Sequence, residues 1–372
     1  MKILAKPGIE IGDLNPYTRL LYDEVRALGH EVDEFTFLRA FIKRYDILHF
    51  HWPEYFVGNA SPIKAYLGSA LILFVAIWAR IRGSKNVWTV HNVGTHAQRR
   101  PRLEKLFWRA FCEFVDGYIS LTAAGQGDAQ QQHANLAEIP GFVIPHGHYR
   151  AAYSKNVSKG IARDWLSVPR HGNVICFFGT LTAYKGISEL IRTFKETDDP
   201  HLVLLIAGES DGSKAVANYA SEARTDVRIR LHEGFVPPRQ VQFYLLAADL
   251  IALPFRQIWN SGTALLALSF NRPILVPQRS AFAELRDRVG GDWVRMYRGG
   301  LTASELKAAV DWSCEKTRQT CVDLEQFEWS EIAKQTVSAY ERILVTSTAA
   351  VSRAVSDSPQ RAPAESKPVH RG

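Results

Sequence analysis

Phe177-Phe178-Gly179-Thr180-Leu181, followed by Tyr184-Lys185-Gly186 and the helical run Ile187 to Phe194, is the stretch on which the reading of this chain turns. The apolar residues up to Phe178 have the continuity of a buried strand. Glycine at the strand's carboxyl end lets backbone approach a ligand closely. Lysine at the mouth of a helix adds positive charge where the backbone already favours anions. Taken alone, the same residues also describe an ordinary strand-to-helix turn with a solvated lysine.

Outward from this point the pattern repeats. Leu202-Val203-Leu204-Leu205-Ile206-Ala207-Gly208 is a second strand ending in glycine. Arg228 to Val236 follows, then Pro237-Pro238 and a helix ending Ala247-Ala248-Asp249-Leu250. Pro254-Phe255-Arg256 leads to Asn260-Ser261-Gly262-Thr263, which opens an apolar helix through Phe270. Strands are expected at 173–178, 202–207, 228–231, 250–253 and 274–276, with helices between them, which is the signature of a parallel α/β sheet. The earlier residues alternate in the same way. Met1 to Ala5, Glu31 to Phe37, Asp46 to His51, Asn86 to His91, Gly117 to Leu121 and Ile139 to Pro145 read as strands, and Pro16 to Leu28 as an amphipathic helix ended by Gly29. Residues 151–170 lose the pattern and read as a linker. A length of 372 residues suits two domains, and no repeat with a period of about 20 to 50 residues appears.

Composition is that of a globular protein, 46% hydrophobic and 22% charged. A net charge of +7 suits either a nucleic-acid binder or an enzyme that handles diphosphates beside an anionic membrane. No aromatic-basic single-strand motif or helix-turn-helix signature supports the former, so no nucleic-acid partner is expected. Cys112, Cys176, Cys314 and Cys321 form no CxxC and read as reduced structural thiols. Met1 to Ala5, running into Lys6-Pro7-Gly8, reads as strand and turn rather than a secretory leader, which gives a cytoplasmic expectation. Ala70 to Ala79 is ten apolar residues in a row, fewer than the ~20 that span a bilayer, and reads as a buried or interfacial helix. Pro101 to Phe114 places Leu103, Leu106, Phe107, Ala110, Phe111 and Phe114 on one face and Arg102, Lys105 and Arg109 on another. Such a helix is either packed with a solvated basic side or drawn to anionic lipid. From Ser347 to Gly372 large apolar residues are scarce, and the tail reads as disordered.

The order and spacing from Phe177 to Val276 resemble the donor domain of GT-B glycosyltransferases, especially the group related to bacterial sucrose-synthase-like and mannosyl transferases. Phe327-Glu328-Trp329-Ser330 and the helix after it resemble that group's closing helix, which crosses back to the first domain. Thr89-Val90-His91-Asn92 and Ile144-Pro145-His146-Gly147 match more loosely, and His49 to Glu54 (His-Phe-His-Trp-Pro-Glu) resembles exopolysaccharide transferases. The resemblance implies two Rossmann-like doubly wound domains facing a cleft. An acceptor-binding domain would occupy 1–155, a donor-binding domain 160–328, a closing helix 329–346 and a tail 347–372. It implies that Lys185 contacts the donor diphosphate, that Gly179 lets it, and that Gly234, Phe235 and Val236 hold the nucleobase. Asn260, Ser261, Gly262 and Thr263 would present amides and hydroxyls to the phosphates, with Arg256 adding charge; the plain alternative for these four residues is N-capping.

Two departures stand out. Many retaining relatives carry two glutamates around this helix where this chain has Ile258 and Leu266, and Thr180 stands where an arginine is frequent. These losses favour an inverting branch, such as the bacterial beta-mannosyltransferases of polysaccharide assembly. Inversion needs a general base on the acceptor hydroxyl. Candidates in the first half are His91, Glu54 and His51, then His96, with Asp13 and Asp46 weaker. No DxD flanked by apolar residues marks a metal-diphosphate site, so no metal and no cofactor beyond the nucleotide-sugar co-substrate is expected. The expected donor is GDP-mannose, with a UDP-sugar second. The expected acceptor is a lipid-linked glycan, met at the inner face of the cytoplasmic membrane by a peripherally bound enzyme. A nucleotide-sugar epimerase of the same fold class and a non-enzymatic nucleotide-binding protein are the rivals.

Overall fold

A computed structural model describes residues 1–8, 15–92, 94, 100–256, 262–315 and 317–356, the last ten as helix backbone only. The first half begins β1 (Lys2–Lys6), α1 (Tyr17–Ala27), β2 (Glu31–Glu34), α2 (Phe37–Ile42), β3 (Ile47–Phe50) and α3 (Glu54–Val57). It continues α4 (Pro62–Ile81), β4 (Lys85–Val90), α5 (Pro101–Glu113), β5 (Gly117–Ser120), α6 (Ala123–Gln132) and β6 (Gly141–Val143). The second half begins α7 (Lys159–Trp165), β7 (Val174–Phe178), α8 (Ile187–Lys195), β8 (Val203–Gly208), α9 (Lys214–Ala223) and β9 (Ile229–Glu233). It ends α10 (Val241–Ala247), β10 (Leu250–Ala252), α11 (Gly262–Ser269), β11 (Ile274–Pro277), α12 (Ser280–Val289), β12 (Val294–Tyr297), α13 (Ala303–Ser313) and α14 (Trp329–Ser356).

Each half carries one six-stranded sheet, ordered β2-β1-β3-β4-β5-β6 and β12-β11-β10-β7-β8-β9, and every pairing is parallel. The α/β class with two doubly wound sheets, expected from the alternation, is borne out. Strands β3, β5, β7, β8, β10 and β11 are buried along their whole length, because helices cover both faces, and this is why they read as unbroken apolar runs. The order of strands reverses between β1 and β3 in the first sheet and between β7 and β10 in the second. Crevices for ligands open at such points, beyond the carboxyl ends of the strands.

Contacts between the halves are specific. The α14 residues Trp329, Ile332, Ala333, Tyr340 and Ile343 join Ile3, Leu21, Tyr22 and Val25 in the core against the first sheet. The Trp329 indole N–H donates to the His148 carbonyl at 2.6 Å. Glu284 of α12 accepts from the Ala123 and Ala124 N–H groups at 2.9 and 2.7 Å, placing a carboxylate on the positive end of α6.

Several details differ from expectation. The strand at Glu31 stops at Glu34, because the Thr36 hydroxyl caps α2 by accepting from the Arg39 N–H at 3.1 Å. Helix α7 lies inside the stretch read as a linker. β12 went unread because Val294-Arg295-Met296-Tyr297 is short and mixed. The ten-residue apolar run belongs to the twenty-residue α4, long and apolar enough to cross a bilayer and one-third buried. Its Ala65, Ile72, Val75 and Ala76 pack inward, while Ile63, Tyr66, Leu67 and Phe74 are exposed, so burial describes one face only. Leu106, placed on the apolar face of α5, is likewise exposed. Cys112 and Cys176 are buried, Cys314 and Cys321 exposed, and all four are free. Residues 347–356 continue α14 into the expected tail, and 357–372 lie outside the described residues.

The second sheet is aligned at its lower end by one charge cluster. Arg163 of α7 is almost wholly buried and donates to Asp249 Oδ2 at 2.7 Å and to the Arg170 and Gly172 carbonyls. The same carboxylate accepts from the Val174 N–H at 2.8 Å and pairs with Lys159. Asp249→Ala leaves the buried guanidinium without its counter-ion and frees the start of β7. It is expected to destabilise the second half by about 3–5 kcal/mol, seen as a lower denaturant midpoint in equilibrium unfolding.

Candidate active site

The loop after β7 and the start of α11 meet at the β7/β10 switch point. Gly179 adopts φ 126°, a backbone region that side chains disfavour. A methyl group there would sit 3.3 Å from Thr263 Oγ1 and 3.6 Å from Lys185 Nζ. Glycine, lysine and threonine are thus brought together at one point. Lys185 reaches it because Gly186 turns the chain at φ 71°, a position where a side chain would collide with the Pro254 carbonyl. The Lys185 amine lies under Phe255, 5.7 Å from the ring centroid. Lys185 is buried, which lowers its pKa to about 8, and among the described residues no carboxylate pairs with it. A buried ammonium beside the N-terminal end of an apolar helix is a site short of an anion.

The other residues that the sequence assigned to the donor lie near this point. The Arg256 N–H donates to the Tyr184 carbonyl at 3.1 Å, so its backbone is tied to the lysine turn while its side chain is exposed. Gly234 donates its N–H to the Gly208 carbonyl at 2.9 Å, which lays the loop after β9 beside the end of β8. Phe235 is half-exposed and Val236 is buried. Leu266, at the position where a carboxylate was weighed, is buried. Asn260 and Ser261, with Ile258, His96 and Asp13, lie outside the described residues.

Across the cleft, the ends of β3 and β4 bring the candidate histidines together. His51 Nδ1 is 3.2 Å from His91 Nε2, and the His91 ring stacks on Trp52 with centroids 4.3 Å apart. Burial depresses the pKa of both histidines well below 6.5, so both are neutral. Both His51 ring nitrogens have protein partners, since Nε2 lies 2.6 Å from the Tyr22 hydroxyl. Glu54 begins α3, and its Oε1 accepts from Asn92 Nδ2 at 2.8 Å. Its Oε2 is buried and, among the described residues, has no hydrogen-bond partner, and burial raises the carboxyl pKa to about 7. Asp46, the weaker candidate, accepts from the Lys2 N–H at the opposite end of the strands.

The residues joining the two sides escaped the sequence reading. Tyr17 packs edge-on against His91 at 4.8 Å and against His146 at 4.7 Å. His146 Nδ1 donates to the Gly147 carbonyl at 2.7 Å, leaving Nε2 to accept from the Tyr149 hydroxyl at 3.1 Å. A methyl on Gly262 would lie 3.3 Å from that Nε2 and 3.2 Å from the Tyr149 oxygen, so this pair touches the mouth of α11. The sequence signal was Ile144-Pro145-His146-Gly147 at the close of the first half, a loose match to the glycosyltransferase pattern to which no role was attached.

The family described as "Glycosyl transferases group 1" matches residues 162–284. The "GDP-mannose:glycolipid 4-beta-D-mannosyltransferase" of Xanthomonas campestris pv. campestris (strain ATCC 33913) is 29% identical over 328 residues, covering 86% of each chain. A solved sucrose-phosphate synthase from Thermosynechococcus elongatus superposes with a TM-score of 0.61 at 14% identity, over 96% of this chain and 100% of that one. WaaG, a glycosyltransferase involved in lipopolysaccharide biosynthesis, gives 0.60 at 15% identity, over 92% and 98%. The chain is a GT-B glycosyltransferase. Enzymes of this group generally take nucleotide-sugar donors.

The Lys185 pKa gives a test. With the free amine titrating at about 8, donor affinity is expected to hold steady below pH 7. It should weaken as pH rises through 8, by up to about tenfold per unit, because binding then has to draw a proton onto the amine. Lys185→Ala should weaken donor binding roughly 30-fold or more and abolish this pH dependence, as read by calorimetry between about pH 6.5 and 8.8.

Proposed function

We propose that this glycosyltransferase moves mannose from GDP-mannose to a lipid-linked oligosaccharide, inverting the anomeric carbon without a metal ion. The observation that carries the reading is the match to the Xanthomonas mannosyltransferase across both halves, acceptor side included. A beta product from an alpha-linked donor requires inversion, and Leu266 in place of a carboxylate fits that departure from retaining relatives. The comparisons give the epimerase and the non-enzymatic nucleotide-binding rivals no support.

In this reading Lys185, Thr263, Arg256, Asn260, Ser261, the Gly262 amide and the room left by Gly179 hold the diphosphate, and Gly234 to Val236 hold the base. The acceptor oxygen attacks the anomeric carbon from the first-half side as the bond to the phosphate oxygen breaks. The acceptor proton passes to Glu54, and GDP departs with its charge offset by Lys185 and the α11 dipole. Glu54 suits the task, since it has one unpartnered oxygen and a pKa near the working pH. His51 is enclosed by its partners and supports His91 instead.

The acceptor's lipid gives a use to an exposed apolar surface. Leu38 and Ile42 of α2 and Ile63, Leu67 and Phe74 of α4 are exposed, and Phe41 packs against Phe74 at 5.7 Å, joining the two helices. Lys43, Lys64 and Arg80 border them. An anionic bilayer is the occupant that fits apolar side chains rimmed by cations. Leu67→Glu with Phe74→Glu should abolish sedimentation with phosphatidylglycerol vesicles while leaving donor binding intact.

A thermal-shift series with GDP-, UDP- and dTDP-sugars tests the donor, GDP-mannose being expected to give the largest stabilisation; no shift with any nucleotide sugar would sink the proposal. For the base, kcat/KM should rise with pH through about 7. Glu54→Gln should lower kcat by roughly 10²- to 10⁴-fold with donor affinity unchanged. An acid limb well below pH 6.5 would instead transfer the role to His91.

A further inference from the structure

Two hydrogen bonds join the halves at a place the chain itself does not cross. Glu284 of α12 accepts from the Ala123 N–H at 2.9 Å and from the Ala124 N–H at 2.7 Å, so one carboxylate of the second half closes on the first turn of α6. The next amide of that turn, Gly125, donates to the Thr122 hydroxyl at 2.9 Å. Both Glu284 bonds are charge-assisted, and the helix dipole adds to them. Among the described residues no other hydrogen bond links residues 1–143 with residues 159–318.

The chain crossings form the other anchor. The two segments that run between the halves meet where the His148 N–H donates to the Phe327 carbonyl at 3.0 Å and the Trp329 indole N–H to the His148 carbonyl at 2.6 Å. A methyl on Gly147 would collide with the Trp329 ring, so this junction is tight. Two bodies joined at one junction can pivot about it; a second contact away from the junction fixes their angle. A narrow crevice lies between the two anchors, lined by Leu121, His146, Leu265, Phe282, Glu284 and Phe327. His146 and Phe327 come from the crossings, Glu284 from the clasp, and Leu265 from α11. A methyl on Gly262 would lie 3.3 Å from His146 Nε2, so with the clasp engaged the mouth of α11 rests against the end of the first half.

We propose that Glu284 is a positioning residue: by clasping the amino end of α6 it holds the two halves at the angle that brings the donor and acceptor walls together for transfer. The clasp stands on the geometry alone, whereas its use in transfer rests on the reaction proposed above. Releasing the carboxylate leaves each wall intact, since Lys185 and Thr263 belong to one half and Glu54 to the other. What changes is the population of arrangements in which the walls are apart.

Solution X-ray scattering without substrates tests the clasp, and steady-state kinetics tests its use. Glu284→Ala should enlarge the radius of gyration and lower kcat roughly 10- to 100-fold, the factor expected for lost charge-assisted hydrogen bonds, with donor affinity by calorimetry unchanged. Glu284→Gln keeps an acceptor and loses the charge, so it should fall between Glu284→Ala and the wild type. Ala123→Pro opens the clasp from the other side. Proline suits the first position of a helix, and Thr122 before it is extended, with φ −147° and ψ 155°. This variant deletes one of the two donors, so it should lower kcat by less than Glu284→Ala does. In the double variant it should add nothing, a non-additivity that a generally loosened fold would not give. An unchanged radius of gyration in a folded Glu284→Ala, a kcat at or above that of the wild type, or additive losses in the double variant would overturn the proposal. Failure of the donor assignment would leave the scattering result untouched, which tells the two apart.

Discussion

A positive charge is buried where, among the described residues, no negative one meets it. Lys185 is 8% exposed, lies beneath an aromatic ring, and faces the N-terminal end of a helix whose own dipole has the same sign. Two like poles in an apolar pocket repel each other and lack water to separate them, so the arrangement is unfavourable until an anion arrives. The surroundings sharpen the effect. Helix α11 is buried from Ala264 to Ser269, and β7, β8 and β10 are buried along their lengths, so little solvent screens the pocket.

The first half is built on the opposite economy of charge. His51, His91 and His146 are kept neutral by burial, and Tyr17 spaces them without adding a charge. Among the described residues of that wall, burial raises the Glu54 carboxyl to about 7, near neutrality. In the proposed transfer, Lys185 and the α11 dipole would offset the departing negative charge and Glu54 would take up the acceptor proton.

Legibility in the sequence followed the range of the interactions. Strands covered on both faces announce themselves as apolar runs, so β7, β8, β10 and β11 were found close to their true limits. Gly179 and Lys185 were legible because their meeting is local, across one turn. Short or mixed elements such as β12 and α7 were not, since what holds them is a distant partner: Arg163 keeps α7 in place through Asp249. His146 and Tyr149 were missed for the same reason, because only the fold sets them against Gly262. The histidines of β3 occupy a middle position. His49 and His51 are two residues apart and must share a face of the strand, as must Thr89 and His91 on β4. The pairing of Phe50 with Trp88 then makes His49–Thr89 and His51–His91 equivalent diagonal contacts. That much follows from spacing and register, whereas Tyr340 joins from 291 residues away and leaves no trace in the local sequence.

Helix α14 shows why that last contact matters. Its first residue, Trp329, is fixed to the His148 carbonyl and packs on Tyr17 at 5.2 Å, beside the crossing between the halves. Three turns later Tyr340 reaches His49, while Ile332, Ala333 and Ile343 fill the core under the first sheet. One rigid element therefore touches the crossing, the aromatic spacer and the buried histidines. A helix displaced along its axis could not keep all three contacts, because the side-chain cores on either side are close-packed and do not deform continuously. The orientation of His91 and the arrangement of the two halves are in this way set by the same backbone, so the acceptor wall is complete only when the chain's final helix is seated on a domain to which its sequence neighbours do not belong.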